Sequence, residues 1–273
     1  MSMEEIVPAP VALGNVALLD SSRWSMPATK PKQKQTHGVP DNPLWIDAQE
    51  WAEPDRVTLR RALGDRYDVH GRGVTRLLAE QPGLRATGAT ADLVPELVAL
   101  LAYHSDEQET INKQLRSGGS DDRGELVARA ATRGLLRLPT VFGPVFATGR
   151  TAVWYRPGDE LIEPAFLDVD TAGAPQADAA VEYVFWSISA RRLPADSTTA
   201  AFPPGSRFSV LAVDSMANGR LRVLLADRAG GRPGVLERLR NASPGAMRNP
   251  LRHLSFSPGL DDQGRRYVKG APS

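Results

Sequence analysis

The sequence predicts an α+β protein, because helix-like segments come first along the chain and strand-like segments follow them. Between residues 44 and 138, apolar residues recur at three- and four-residue intervals, as on one face of a helix. After Pro139 the chain divides into short runs rich in β-branched and aromatic residues, separated by glycine, proline and aspartate. Helices and strands that are segregated in this way indicate helices packed on an antiparallel sheet rather than a doubly wound sheet.

The composition excludes several classes of function. Lysine and arginine number 33 against 32 aspartates and glutamates, so the net charge of +1 gives no electrostatic reason to expect a nucleic-acid partner. The chain of 273 residues has no cysteine, which excludes disulfides, thiolate catalysis and cysteine-ligated metal. The four histidines match no zinc-binding spacing, so no metal is expected.

The first 43 residues predict an irregular arm. They are rich in proline, lysine and glutamine and show neither a helical nor a strand period. The segment lacks the basic start and unbroken apolar core of a classical signal peptide, so a cytoplasmic protein is expected by default, with signal-independent export left open. No apolar run approaches the roughly 20 residues that span a bilayer. The arm is a candidate docking element for a protein partner.

The rest of the chain is expected to form three further segments: a helical extension over 44–84, a main domain over 85–230 and an irregular tail over 231–273, with one short helix in the tail. The clearest helical period covers residues 92–116. Its polar centre at 105–109 predicts a bend, and the glycines after Ser117 predict its end.

Several motifs resemble those of the ADP-ribosyltransferase fold of bacterial exotoxins and their actinobacterial relatives. "LPTVFGPVFATG" resembles the first core strand, which normally reads like "VYRG", and "YRPGDELIEPAFLDVD" resembles the block that ends in Ser-Thr-Ser. "AAFPPGSRFSVLAVD" resembles the strands that follow the catalytic Glu-x-Glu. The resemblance spans residues 85–228 and implies an antiparallel, split β-sheet, NAD as a possible cofactor, and transfer of ADP-ribose to a protein.

At the positions that align with the family's catalytic residues, this sequence carries other residue types. Ala147 stands where an arginine holds the phosphates of NAD, and a planar guanidinium suits that role. Asp168 and Asp170 replace the outer serines of the triplet that shapes the nicotinamide pocket. Ser197 and Thr199 replace the two glutamates, of which the second stabilises the charge that develops on the ribose. The resemblance therefore predicts a degenerate catalytic site.

A second register keeps more of the chemistry. In it, Arg150 or Arg156 is the phosphate-binding arginine, and Ser187 and Ser189 form the serine element. The carboxylate would then have to come from elsewhere, with Asp196, Asp214, Asp227 and the strand residue Glu182 as the candidates. An aspartate is one methylene shorter than glutamate, and a site that depends on geometry tolerates such a change poorly.

Three aromatic residues are candidates for stacking on NAD, namely Trp154, Tyr155 and Trp186. Aromatic residues in strand-like runs more often belong to the core. Three hypotheses remain at this point: an ADP-ribosyltransferase fold that has lost its chemistry and serves as a binding or structural module, toxin-like or secretion-associated; an active mono-ADP-ribosyltransferase effector; and a component of a larger assembly with no NAD chemistry.

Overall fold

A computed structural model of the chain describes residues 36–39, 53–87, 90–119, 121–150, 155–194, 198–227, 233–244 and 249–269. Most of the predicted arm lies outside these residues. Of that arm the structure describes strand β1, Thr36–Val39.

Within the described residues, five α-helices precede the main sheet and a sixth lies between its last two strands in the chain. They are α1 (Glu53–Leu63), α2 (Asp65–Glu80), α3 (Thr90–Ala102), α4 (Gln108–Ser117), α5 (Asp122–Arg137) and α6 (Val235–Asn241). Helices α1 to α5 share one apolar core, to which Leu59, Leu97 and Leu135 contribute. The predicted helical extension is therefore packed into the same core as the helices of the predicted main domain.

The polar centre of the central helix, where the sequence predicts a bend, departs from α-helical geometry. Residues Tyr103–Glu107 form a π-helical turn between α3 and α4. A π-turn holds one more residue than an α-helical turn, so it rotates the side chains that follow it, and such turns are frequent at functional sites. Helix α4 ends at Gly118, whose φ of 76° is favourable for glycine.

Helices α3 and α5 approach closely where α5 has a glycine. A Cβ atom on Gly134 would lie 2.3 Å from the backbone oxygen of Glu96. The fully buried Glu96 carboxylate accepts hydrogen bonds from Nε of Arg133 at 2.6 Å and of Arg137 at 2.8 Å. The two helices are thus joined by close backbone packing and by a buried ionic cluster.

Nine of the strands after α5 form one mixed, mostly antiparallel sheet, which confirms the predicted α+β class. They are β2 (Gly143–Gly149), β3 (Glu160–Glu163), β4 (Leu167–Asp170), β5 (Val181–Ser187), β6 (Arg191–Arg192), β7 (Thr199–Phe202), β8 (Ser206–Ser215), β9 (Leu221–Asp227) and β10 (His253–Leu254). The strand order is β3-β8-β9-β5-β2-β4-β7-β6, and β10 pairs with β2. The pairs β5–β9 and β2–β10 are parallel.

Strand β2 is where the sheet divides. It pairs with β5 along its whole length, from Gly143 to Gly149. Along its other edge it meets β4 at Phe146 and then β10 at Thr148 and Gly149. The two neighbours on that edge, β4 and β10, come from parts of the chain more than 80 residues apart.

The strand register determines which side chains share a face. Phe146 faces Asp170 across β2 and β4, and Asp170 faces Thr199 across β4 and β7. Directly paired residues, and residues two apart on one strand, lie on the same face. Thr148, Asp168, Asp170 and Thr199 therefore share one face of the sheet.

The opposite face is the apolar core of the sheet. By the same alternation it carries Ala147, Val169 and Ala200, which pack in one cluster with the rings of Tyr183 and Phe185. Ala147 is fully buried there. The face that carries the two aspartates is turned toward the helices, since Ala201, the partner of Asp168, packs in the helical core.

The segment after residue 230 is more regular than the sequence indicated. The short helix expected there is α6, and strands β10 and β11 (Arg266–Lys269) follow it. Strand β11 pairs in parallel with β1. No helix among the described residues is both long and apolar enough to cross a membrane.

Candidate functional site

The candidate site lies around strand β4, whose side chains alternate between the apolar core and the helical layer. Asp168 and Asp170 project toward the helices and are 3% and 6% exposed. Burying two carboxylates is costly unless each has hydrogen-bond partners. Those partners come from three parts of the chain that are far apart in sequence.

Asp168 has three polar neighbours, and all of them approach the same oxygen. Nε2 of Gln108, the first residue of α4, lies 2.7 Å from Oδ2. Nη1 of Arg252 lies 3.3 Å and Nδ1 of His104 lies 3.7 Å from the same atom. The other oxygen, Oδ1, is buried without a hydrogen-bond partner in the described part of the chain. The carboxylate is thus held by one cation and one amide and keeps an unused acceptor.

Asp170 and Thr148 hold the backbone around Arg252. The Asp170 carboxylate accepts a hydrogen bond from the backbone N–H of Arg252 and lies 3.5 Å from Oγ1 of Thr199. The backbone N–H of Thr148 donates to the carbonyl oxygen of Arg252 at 2.9 Å. The hydroxyl of Thr148 lies 3.2 Å from Nδ1 of His253. These contacts hold the segment that leads into β10 at the point where β2 changes its partner from β4 to β10.

A cavity of about 730 Å³ adjoins this cluster. Its lining includes Gln108, Asn112, Phe166, Asp168, Arg252 and Phe256. The volume lies within the range of small-molecule and cofactor-binding pockets, roughly 300–1,000 Å³. The cavity therefore connects the polar cluster around Asp168 to a space large enough for a ligand.

The predicted catalytic positions are only partly brought together. Asp168, Asp170 and Thr199 are neighbours on one face, whereas Ala147 lies on the other. Ser197 lies outside the described residues. Thr148 occupies the place on β2 that shares a face with the aspartates, and sequence reasoning did not select it. The alternation of strand side chains was the available signal, but one residue of uncertainty in register reverses the face.

The second register is not supported by the positions of its residues. Gly149, which precedes Arg150, pairs with Val181 at the start of β5. Ser187 lies at the other end of β5, so a strand of this length separates it from Val181 by roughly 20 Å. Arg150 is exposed and lies 3.3 Å from Asp178. The exposed Arg156 donates its backbone N–H to Asp159 at 2.9 Å.

The two serines of that register have local structural roles. The Ser187 hydroxyl donates to the carbonyl oxygen of Val141 at 2.8 Å and accepts the N–H of Ala190. The backbone N–H of Ser189 donates to Asp227 at 2.7 Å. These contacts stabilise the backbone at the end of β5.

The described aromatic candidates belong to the interior. The Tyr155 hydroxyl donates to the carbonyl oxygen of Pro258 at 3.0 Å, and its ring meets that of Tyr183 edge-on at 6.0 Å. Trp186 is 9% exposed and contacts Phe142 edge-on at 5.7 Å. Trp154 lies outside the described residues. Within those residues, no three histidines, aspartates or glutamates are grouped so that they could hold a metal ion.

All five tyrosines have phenol pKa values above the ordinary value. Burial is the main cause in each, and the charge of Asp168 contributes at Tyr103. For Tyr267 burial raises the pKa to about 12.

We expect the phenolate absorbance at 295 nm to remain low at pH 10, where unfolded tyrosine, with a pKa of about 10, is half ionised. The unfolded chain loses these protons first, so stability is intact below about pH 10 and falls as the pH rises from there toward 12. A spectrophotometric titration checks this, with the urea-unfolded chain as the reference. A native midpoint equal to that of the unfolded chain would contradict it.

The fold defined by these elements is that of the ADP-ribosyltransferases, with helices packed on a divided, mostly antiparallel sheet. No protein-family model matches the sequence, and no curated protein matches it. Several solved structures are similar to the structure of this chain. The type III effector XopAI from Xanthomonas axonopodis pv. citri is 19% identical with a TM-score of 0.53, over 66% of this chain and 84% of XopAI. The ADP-ribosyltransferase HopU1 of Pseudomonas syringae pv. Tomato DC3000 is 14% identical with a TM-score of 0.56, over 66% of this chain and 100% of HopU1.

Proposed function

We propose that this protein is an ADP-ribosyltransferase-fold module that has lost transferase activity and serves to bind another molecule. The observation that supports this proposal most directly is the set of side chains on one face of β2, β4 and β7. In the family that the sequence resembles, the catalytic residues would lie on this face. That face carries Thr148, Asp168, Asp170 and Thr199. Among the described residues of β2, β4 and β7, that face offers neither the arginine nor the glutamate that the family chemistry requires. Glu182 lies opposite Thr148 on β5, but it is ion-paired with Arg222 at 3.0 Å.

The charge of the face also supports the proposal. Two buried carboxylates would repel the pyrophosphate of NAD, and the cation beside them, Arg252, lies within ion-pair distance of Asp168. The described residues of this face therefore do not fit NAD in the way that the family binds it. Thr199 is a neutral hydroxyl and cannot stabilise a positively charged ribose as a carboxylate does.

A role in binding is consistent with the cavity that remains beside this face. We propose that the bound molecule is a protein, as expected for a toxin-like or secretion-associated module. We propose residues 1–43, which the sequence predicts to be an arm rich in proline, lysine and glutamine, as the contact with that partner.

The test is incubation of the purified chain with NAD, with release of nicotinamide measured beside an active ADP-ribosyltransferase. We expect no release above the protein-free blank. Titration calorimetry with NAD separates two forms of the proposal. Binding without turnover would indicate a nucleotide sensor, whereas no heat would direct the search to a protein partner. Release of nicotinamide would overturn the proposal in favour of an active transferase.

A further inference from the structure

We infer that Asp168 is the centre of a guanidinium-binding site, and that Arg252 of the chain's own C-terminal segment is its resident ligand. The inference goes beyond the proposed function, because it names the chemical group that the altered cleft receives. It also holds whatever the outcome with NAD.

The site is built for a cation with several N–H donors. Asp168 is 3% exposed, so its charge is poorly solvated and attracts a cation strongly. A guanidinium presents five donors in a fork that matches the two oxygens of a carboxylate. Gln108, which donates to Oδ2 at 2.7 Å, orients the carboxylate from the helical side.

The Arg252 guanidinium contacts only one of the two oxygens of the Asp168 carboxylate. Arg252 reaches Oδ2 through Nη1, while Asp168 Oδ1 and Arg252 Nε are both buried without a partner in the described residues. A buried acceptor without a donor is unfavourable, so a free guanidinium, which is not tethered to the backbone as that of Arg252 is, can engage both oxygens once the Arg252 side chain is removed. The cavity of about 730 Å³ reaches this group from outside, since Asp168 and Arg252 both line it.

The segment around Arg252 is held at the site mainly by its backbone. Thr148 donates to the Arg252 carbonyl oxygen, Asp170 accepts the Arg252 N–H, and the Leu251 N–H donates to the carbonyl oxygen of Ala174 at 2.8 Å. None of these bonds depends on the side chain at position 252. Removing that side chain is therefore expected to vacate the guanidinium site while the strand pairing persists.

Chemical rescue tests the inference. We expect Arg252→Ala to lower the melting temperature, and millimolar guanidinium chloride to raise it again in a saturable way by roughly 2–4 °C, a readily measured shift for a domain of this size. The same concentration of ammonium chloride controls for ionic strength. Wild-type protein, whose site is filled, should show no such shift. Arg252→Gln is the second variant if the alanine protein does not fold, because it keeps much of the stem.

The double variant Asp168→Asn/Arg252→Ala is the matched control, since asparagine keeps the shape of the site without its charge. We expect no guanidinium-dependent shift in it. An equal shift in the single and double variants, or no saturable shift in the single variant, would overturn the inference. The measurement contains no NAD, so its failure is distinct from a failure of the proposed function.

Discussion

Replacing Glu163 by alanine is expected to lower the free energy of unfolding by about 3–5 kcal/mol, the cost of leaving a buried charge without its partner. The Glu163 side chain is fully buried and that of Arg116 is 9% exposed. Nη1 of Arg116 lies 2.6 and 2.7 Å from the two carboxylate oxygens. Burial opposes the charged form of Arg116, but the charge and hydrogen bonds of Glu163, together with the charges of Tyr267 and Asp262, keep the arginine pKa above its ordinary value.

The same pair joins the helical layer to the C-terminal segment. Glu163 accepts the backbone N–H groups of Ala165 at 3.1 Å and Gly259 at 2.8 Å. The Arg116 guanidinium donates to the carbonyl oxygen of Leu260 and lies 4.0 Å from the ring centre of Phe256. Loss of the carboxylate thus removes partners from one cation and two buried amides.

Urea unfolding followed by circular dichroism measures the change. The matched control is Glu125→Ala, which breaks a surface pair with Arg129 on one helix at 3.1 Å. Pairs at i,i+4 on a helix contribute about 0.3–0.5 kcal/mol, so the two variants should differ severalfold in their effects. Similar losses in both variants would contradict the structural role assigned to the buried pair.

Much of the fold could be predicted because it depends on local pattern. The helical period and the strand-like runs after Pro139 are properties of short windows, and both are present in the structure. A π-helical turn at Tyr103–Glu107 overlaps the place where the sequence predicts a bend. The two aspartates were selected because they align with the outer serines of the triplet in the family that the sequence resembles.

The rest of the site depends on contacts between distant segments. Gln108 and Arg252 meet at Asp168 from sequence separations of 60 and 84 residues, and no local pattern predicts such a meeting. The choice of Ala147 rather than Thr148 as the inward position of β2 required a register accurate to one residue, because neighbouring strand residues face opposite ways. Glu163 was not selected, since a single acid at the end of a short strand resembles a solvated strand end.

Restoring the family arginine at the aligned position provides the sharpest test of that register. We expect Ala147→Arg to destabilise the protein by several kcal/mol, or to abolish its soluble expression. Ala147 is fully buried among Val169, Tyr183 and Phe185, and that apolar cluster offers a guanidinium no carboxylate. An unpaired cation buried in such surroundings carries a desolvation penalty of several kcal/mol.

Two further variants separate charge from size and one face from the other. Ala147→Met adds a long uncharged side chain and should cost about 1–3 kcal/mol through overpacking alone. Thr148→Arg places the same cation on the face that carries Asp168 and Asp170, so it should be tolerated better than Ala147→Arg. Urea unfolding gives the order of the three variants. If Ala147→Arg were as stable as Ala147→Met, position 147 would have to reach polar surroundings, and the assignment of Thr148 to the face of the aspartates would be wrong.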